Sequence, residues 1–232
     1  MRVFILSLHT CVHSLPRSPN TLPRLALTFV AFHSGCDFFI GSPTAMADAD
    51  TEAALRAAAS GKGKGALYIP TGAMWGAGDI QALANRGGLY ALTITMKKHP
   101  ASFRLPHAET DAKRAAACDS EGEHVLYEGS VRGLCPIAPN NVNTMACAAM
   151  AAHTLGFDGT VGRLVADTAL KTHEVEVLAL GPPNTTTGAQ LRIHVVRSSP
   201  APPGAVTSRA TYGSFLESLI KAHGRGPGVH FV

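Results

Sequence analysis

The stretch CDFFIGSPTAMADADTEAALRAAASGKGKGALYIPTGAMWGAGDIQALANRGG, residues 36–88, decides the fold. DFFI, at Asp37 to Ile40, is a short apolar run that enters a loop at Gly41, Ser42 and Pro43, as a buried strand does. TEAALRAAAS is rich in strong helix formers and stops at the glycines of GKGKG. ALYIP then reads as a second strand, TGAMWGAG as a glycine-punctuated turn, and DIQALANRGG as a helix closed by Gly87 and Gly88. Strand, helix, strand, helix is the tail of a doubly wound α/β unit.

Downstream the texture shifts. LYALTITMKKH alternates like a strand, with Thr93 and Thr95 on a polar face opposite Leu92, Ile94 and Met96. HVLYEGS, GRLVADTAL, HEVEVLALG and LRIHVVRSSP read as further strands. Helices are expected from Asn143 to about Leu155 and over ATYGSFLESLIKAHG. In APNNVNTMACAAMAAHTLGFDG, residues 138–159, Asn141 and Asn143 read as helix-start caps and the Ala/Met run as a buried face. This second part, with many strands and two helices, is an α+β layer, and the seam is placed near residue 88.

At 232 residues the chain has room for one large domain or two small ones. Apolar residues make up 46% and charged residues 16%, which excludes a disordered tail or a coiled coil. The net charge of +4 is scattered, and the small Lys62 and Lys64 group is too slight for a nucleic-acid footprint. The five cysteines have no C-x-x-C pair, so neither a zinc knuckle nor a redox motif is expected. Reduced, intracellular thiols are the simplest account, with Cys147 a small buried hydrophobe.

Residues 1–35 stand apart. MRVFILSL begins like a signal peptide, but His9, Thr10 and His13 interrupt it, followed by Pro16, Arg17 and Pro19. LALTFVAF ends at His33, and neither run reaches the roughly 18 to 20 apolar residues of a membrane span. No trustworthy secondary-structure period is found here. A secreted protein led by this segment is the least favoured reading.

Among motifs, Gly61, Gly63 and Ala66 spell G-x-G-x-x-A, but after a helix and before a strand, the reverse of a dinucleotide loop. TGAMWGAG has the correct strand–turn–helix context without the fingerprint spacing, and on spacing alone is an ordinary turn. His99 before Pro100 and His194 within LRIHVV read as bland. His173 stands just before an alternating strand, soon after Asp167, where a ring of near-neutral pKa suits general acid–base work. A lone histidine is nonetheless more often structural, and the residues alone leave both roles open. G-x-S-x-G, H-E-x-x-H and a Walker loop are all absent from the sequence.

Five segments in order, GSPTAMAD, LYIPTGAMWGAGDIQAL, LYEGSVRGLCPIAPNNVNTMA, LGFDGTVGRLVADT and PGAVTSRATYGSFLESL, resemble the L-aspartate dehydrogenase family, its animal domain-containing members above all. The resemblance covers nearly everything from Cys36 to Val232. It implies a remnant of a Rossmann NAD(P)-binding domain (residues 36–88), followed by an α+β catalytic and dimerisation domain with a mixed or antiparallel sheet (residues 89–232). Residues 1–35 are left as an unmatched leader. The family oxidises L-aspartate with NAD or NADP to iminosuccinate, which hydrolyses to oxaloacetate and ammonia or feeds NAD synthesis.

Carried over on matched motifs, Ala73 and Asn143 are the expected cofactor contacts and His173 the expected catalytic residue, with no metal. A cytoplasmic homodimer without nucleic-acid or membrane partners completes the expectation. One departure matters: residues 1–35 carry no G-x-G-x-x-G loop, so the pyrophosphate has no obvious anchor and cofactor binding is expected to be weak. The alternative is a truncated, non-catalytic remnant acting through dimerisation.

Overall fold

The computed structural model describes residues 3–6, 36–61, 65–72, 74–139 and 141–232. Two sheets form within it. The first is wholly parallel and runs β1 (Val3–Leu6), β2 (Asp37–Ile40), β3 (Ala66–Ile69), β9 (Gly228–Phe231). The second is mixed, in the order β5 (Glu123–Ser130), β6 (Val161–Asp167), β4 (Ala91–Lys98), β7 (Thr172–Leu180), β8 (Arg192–Pro200). Only β4 and β6 run parallel; the other three pairings are antiparallel. This is the α/β plus α+β arrangement expected, with a mixed second sheet.

The βαβα reading of residues 36–88 holds. Helix α1 (Ala49–Ala59) starts where the Asp48 side chain accepts the Thr51 N–H at 2.8 Å, a cap that satisfies one orphan donor of the first turn. Helix α2 (Ala77–Asn85) follows Gly76, whose φ of 79° is left-handed and open to glycine without strain. β3 is buried from end to end and β2 from Phe38 to Ile40, as strands of a covered parallel sheet are.

Two strands of the first sheet escape the sequence reading. Val3–Leu6 pairs with β2, although no strand is drawn in the leader. The far end of the chain returns as β9 beside β3, secured by the Val232 N–H to the Ile69 carbonyl at 3.0 Å and the Thr71 N–H to the Val232 carbonyl at 2.8 Å.

Among the described residues the second part holds five helices where two are drawn: α3 (Ala108–Ala117), α4 (Val131–Ile137), α5 (Asn143–Ala151), the single turn α6 (Gly156–Gly159) and α7 (Arg209–Lys221). A further correction concerns β4, because Thr95 is only 2% exposed and belongs to no solvated face. The strand is central in its sheet and covered on both sides, so alternation alone misassigns its second face.

Helix α5 is the pivot of the core. From Thr144 to Ala151 every residue is buried, as in a helix apolar all round. It packs against α2, the 3₁₀ turn Pro43–Ala47, α4 and α6, joining the first sheet's helices to the second sheet's. At Gly162 in β6 a Cβ would stand 2.9 Å from Leu134 Cδ2 and 3.2 Å from Met145 Sδ, so strand and helices meet with no room for a side chain. Gly162→Val is expected to cost about 1–3 kcal/mol by overpacking, read as a lower urea midpoint at unchanged m-value.

Candidate active site

The cleft is built on one face of the second sheet. Residues directly opposite in neighbouring strands share a face, and so do residues two apart along a strand. The register sets Met96, Val175 and Arg197 abreast across β4, β7 and β8. One rung further on the same face, His173 stands opposite Ser199, and Lys98 closes β4 beside it. All six line a cleft of about 80 Å³. Asn141, Asn143 and Thr144 at the head of α5 form one wall, and residues 206–208 with Thr211 form another.

His173 is 7% exposed, and its Nε2 has no hydrogen-bond partner among the described residues. The Ala205 backbone beside the ring slightly favours its protonated form. A neutral imidazole keeps one bare acceptor nitrogen, and an Nε2 without a partner is open to serve as it. Burial, and then the Lys98 charge, push its pKa down to about 4, so the ring is neutral at physiological pH.

Lys98 is the buried charge of the cleft, 3% exposed. Its Nζ donates to Asn141 Oδ1 at 3.1 Å and to the Val206 carbonyl at 2.9 Å, and lies 5.7 Å from the centre of the Phe103 ring. An ammonium has three donors, and the hydrogen-bonding partners account for two. Burial pushes its pKa down to about 8. With Arg197 it makes the cleft electropositive, and no carboxylate of the described residues lines the walls.

The expected role of Asn141 as helix cap is corrected here. Its Oδ1 is taken by Lys98, its Nδ2 donates to the Arg104 carbonyl at 3.2 Å, and Val142 occupies the N-cap without a side-chain hydrogen bond. A buried ammonium needs acceptors more than a helix start needs a cap, since an unpaired buried charge costs several kcal/mol. Asn143 opens α5, exposed on the cleft wall, and its Oδ1 accepts from Ser42 Oγ at 2.7 Å. This bond ties the loop after β2 to the cleft. Ala73 lies outside the described residues.

The structure therefore brings His173 and Asn143 into one cleft, and adds Lys98 and Arg197, which the sequence reading passed over. The signal for both was period two. Lys98 continues the inward phase of Leu92, Ile94 and Met96, and Arg197 that of Ile193 and Val195. The remaining histidines named from sequence are structural: His99 Nδ1 accepts the Ala101 N–H at 3.2 Å, and His194 meets Glu176 at 2.7 Å. Cys147 is fully buried, as expected, and burial pushes its thiol up to about 12.

The fold is similar to that of an aspartate dehydrogenase of known structure. The Thermotoga maritima enzyme matches with a TM-score of 0.60 over 90% of this chain and 74% of that one, at 18% identity. The family profile described as aspartate dehydrogenase, C-terminal, matches residues 79–218. An aspartate dehydrogenase domain-containing protein of Xenopus tropicalis is 50% identical over 200 residues, covering 86% of this chain and 69% of its own. An L-aspartate dehydrogenase of Methanococcoides burtonii is 32% identical over 151 residues, covering 62% of this chain and 52% of its own. The chain belongs to the aspartate dehydrogenase family.

Proposed function

We propose that the chain is an NAD(P)-dependent L-aspartate dehydrogenase, acting on the α-amino group of the substrate in the cleft around His173. The observation that carries this reading is the neutral, buried, unpartnered Nε2 of His173 in a cleft lined, among the described residues, by two cations and no carboxylate. Such a site accepts a proton from a bound dicarboxylic amino acid while its cations offset the substrate's charge.

The residues at the cleft edge suit a nicotinamide end. Ligands of parallel α/β sheets bind beyond the carboxyl ends of the strands, where the loops after β2 and β3 lie. Gly72, with φ of 57°, has nothing within 4 Å of where a Cβ would stand, so its backbone is open to a flat ring. Asn143, its Oδ1 held by Ser42, keeps its Nδ2 free to donate to a carboxamide. The cofactor's contribution, when bound, is to accept hydride from the substrate α-carbon. His173 Nε2 takes the proton released at the amino nitrogen, and Lys98 offers its third donor to a substrate carboxylate.

The test is direct. Purified chain with L-aspartate and saturating NAD or NADP should give the absorbance of reduced nicotinamide, and D-aspartate or L-malate should not. No reduction with either cofactor across the neutral to alkaline range would remove the reading. A cytoplasmic location belongs to the same proposal; no helix of the described residues is long and apolar enough to cross a membrane.

A second reading, self-association without catalysis, draws on one observation. Tyr212, Leu216 and Ile220 form an apolar row on α7, each more than half exposed. A homodimer closed on this row should become monomeric in light scattering on Leu216→Glu.

A further inference from the structure

Arg197 is the half-buried arginine whose charge is unanswered. Among the described residues, Arg56, Arg114, Arg132 and Arg163 are also half-buried, and each is paired with a carboxylate: Glu52, Asp111, Asp158 and Glu128. Arg197 has none. Its companion is the ring of Trp75, 5.9 Å from the guanidinium carbon, which reaches over from the loop between β3 and α2. A guanidinium stacked on an indole is held in place while its fork of N–H donors stays free for a planar anion.

The position of Arg197 fits this use. It stands beside Val175, one rung from His173, and two strands across the sheet from Lys98. Two strand spacings of about 4.8 Å and one rung of about 6.6 Å put the two cations' backbones about 12 Å apart, with His173 on the strand between them. Both side chains are long and both reach the same cleft. An anion with one carboxylate answers one of the two cations; a short dicarboxylate answers both while its α-carbon lies over the histidine.

We propose that Arg197, stacked on Trp75, receives one carboxylate of a dicarboxylate ligand and Lys98 the other, so that Arg197 sets the preference for an acidic over a neutral amino acid. The inference deepens the dehydrogenase reading and rests on it for the identity of the ligand, but not for the test. Trp75 is the single tryptophan of the sequence, so the indole beside the guanidinium is itself the reporter.

The full chain is titrated with succinate, which lacks the amino group and needs no cofactor, and tryptophan fluorescence is followed. The expected result is a saturable change with succinate and a dissociation constant at least about tenfold weaker for butyrate. Arg197→Gln should weaken succinate binding by about tenfold to a hundredfold, and Arg197→Lys should restore part of the loss. The far-ultraviolet circular dichroism of each variant should match the parent, since the side chain lies on an edge strand.

Succinate binding unchanged in Arg197→Gln would overturn the inference. So would the absence of a saturable response in the parent chain by both fluorescence and calorimetry. If succinate binds through Arg197 but L-aspartate is not oxidised, the dehydrogenase reading fails and the carboxylate site stands. If L-aspartate is oxidised and Arg197→Gln leaves its KM unchanged, the enzyme stands and this assignment falls.

Discussion

His173→Asn is expected to lower kcat for L-aspartate oxidation by about 10²–10⁴-fold, the usual contribution of a positioned general base. Asparagine keeps a hydrogen-bonding side chain of similar reach near the Ala205 backbone but cannot accept and hold the proton. Succinate affinity should therefore change little, which separates a chemical defect from a collapsed cleft. A pH signature accompanies the substitution. The folded-state pKa of about 4 lies below the ordinary 6.5, so the unfolded chain binds a proton across that interval that the folded chain refuses. Stability is fully present above pH 6.5 and falls as pH drops towards 4. In His173→Asn that part of the acid slope should vanish from chemical denaturation curves. Turnover retained at a tenth of the parent rate or more would remove His173 from its role.

Lys98→Met is expected to move activity and stability in opposite directions. Burying the ammonium lowers its pKa from 10.5 to about 8, which corresponds to a folding penalty of about 3 kcal/mol at pH 7. Methionine has a similar stem and no charge. Against the relief stand two lost hydrogen bonds, leaving Asn141 Oδ1 and the Val206 carbonyl short of a donor. A net gain of about 1–2 kcal/mol remains, or a rise of a few degrees in Tm for a chain of this length. The sign can be checked by pH as well. The folded parent releases the proton before the unfolded chain does, so its stability climbs from pH 8 to 10.5, and Lys98→Met should lose that climb. Activity should fall at least about a hundredfold in kcat/KM, because a charge-assisted contact to the substrate is removed inside a desolvated cleft. The charge also acts on His173, so the pKa of the ring should rise in this variant. A variant both less stable at pH 7 and fully active would contradict each half of this account.

How much of this was legible beforehand follows from where each signal resides. The helices and strands of residues 36–88 carry their own evidence in local propensity and glycine stops, and the structure agrees with them. Helix α3 leaves little trace because it buries only Thr110 and Ala117, so no apolar stripe marks it. Helix α4 contains Pro136, which argues against a helix from sequence but is tolerated in a seven-residue element near its end. Strand β9 is four half-buried residues after a glycine-rich turn, and its partner lies at the other end of the chain. At the site, His173 and Asn143 came through family resemblance, whereas Lys98 and Arg197 were written in the alternation of β4 and β8. A lysine in an inward phase is easily dismissed as the end of a strand. Its meaning appears only when Asn141 and Val206, distant in sequence, are seen to receive it. Asn141 shows the converse, a local cap signal overridden by a tertiary demand.

The pairing of β9 with β3 bears on the birth of the molecule. Thr71 is joined to Val232, 161 residues away in the chain. β9 follows β3 far along the chain, so until it is made the edge of β3 that it covers has no neighbour. Long-range parallel pairing of this kind forms slowly. The second sheet, whose strands all lie between residues 91 and 200, has its parts in hand sooner. Assembly is therefore expected to favour the second sheet first, with the pairing of β9 on β3 following it.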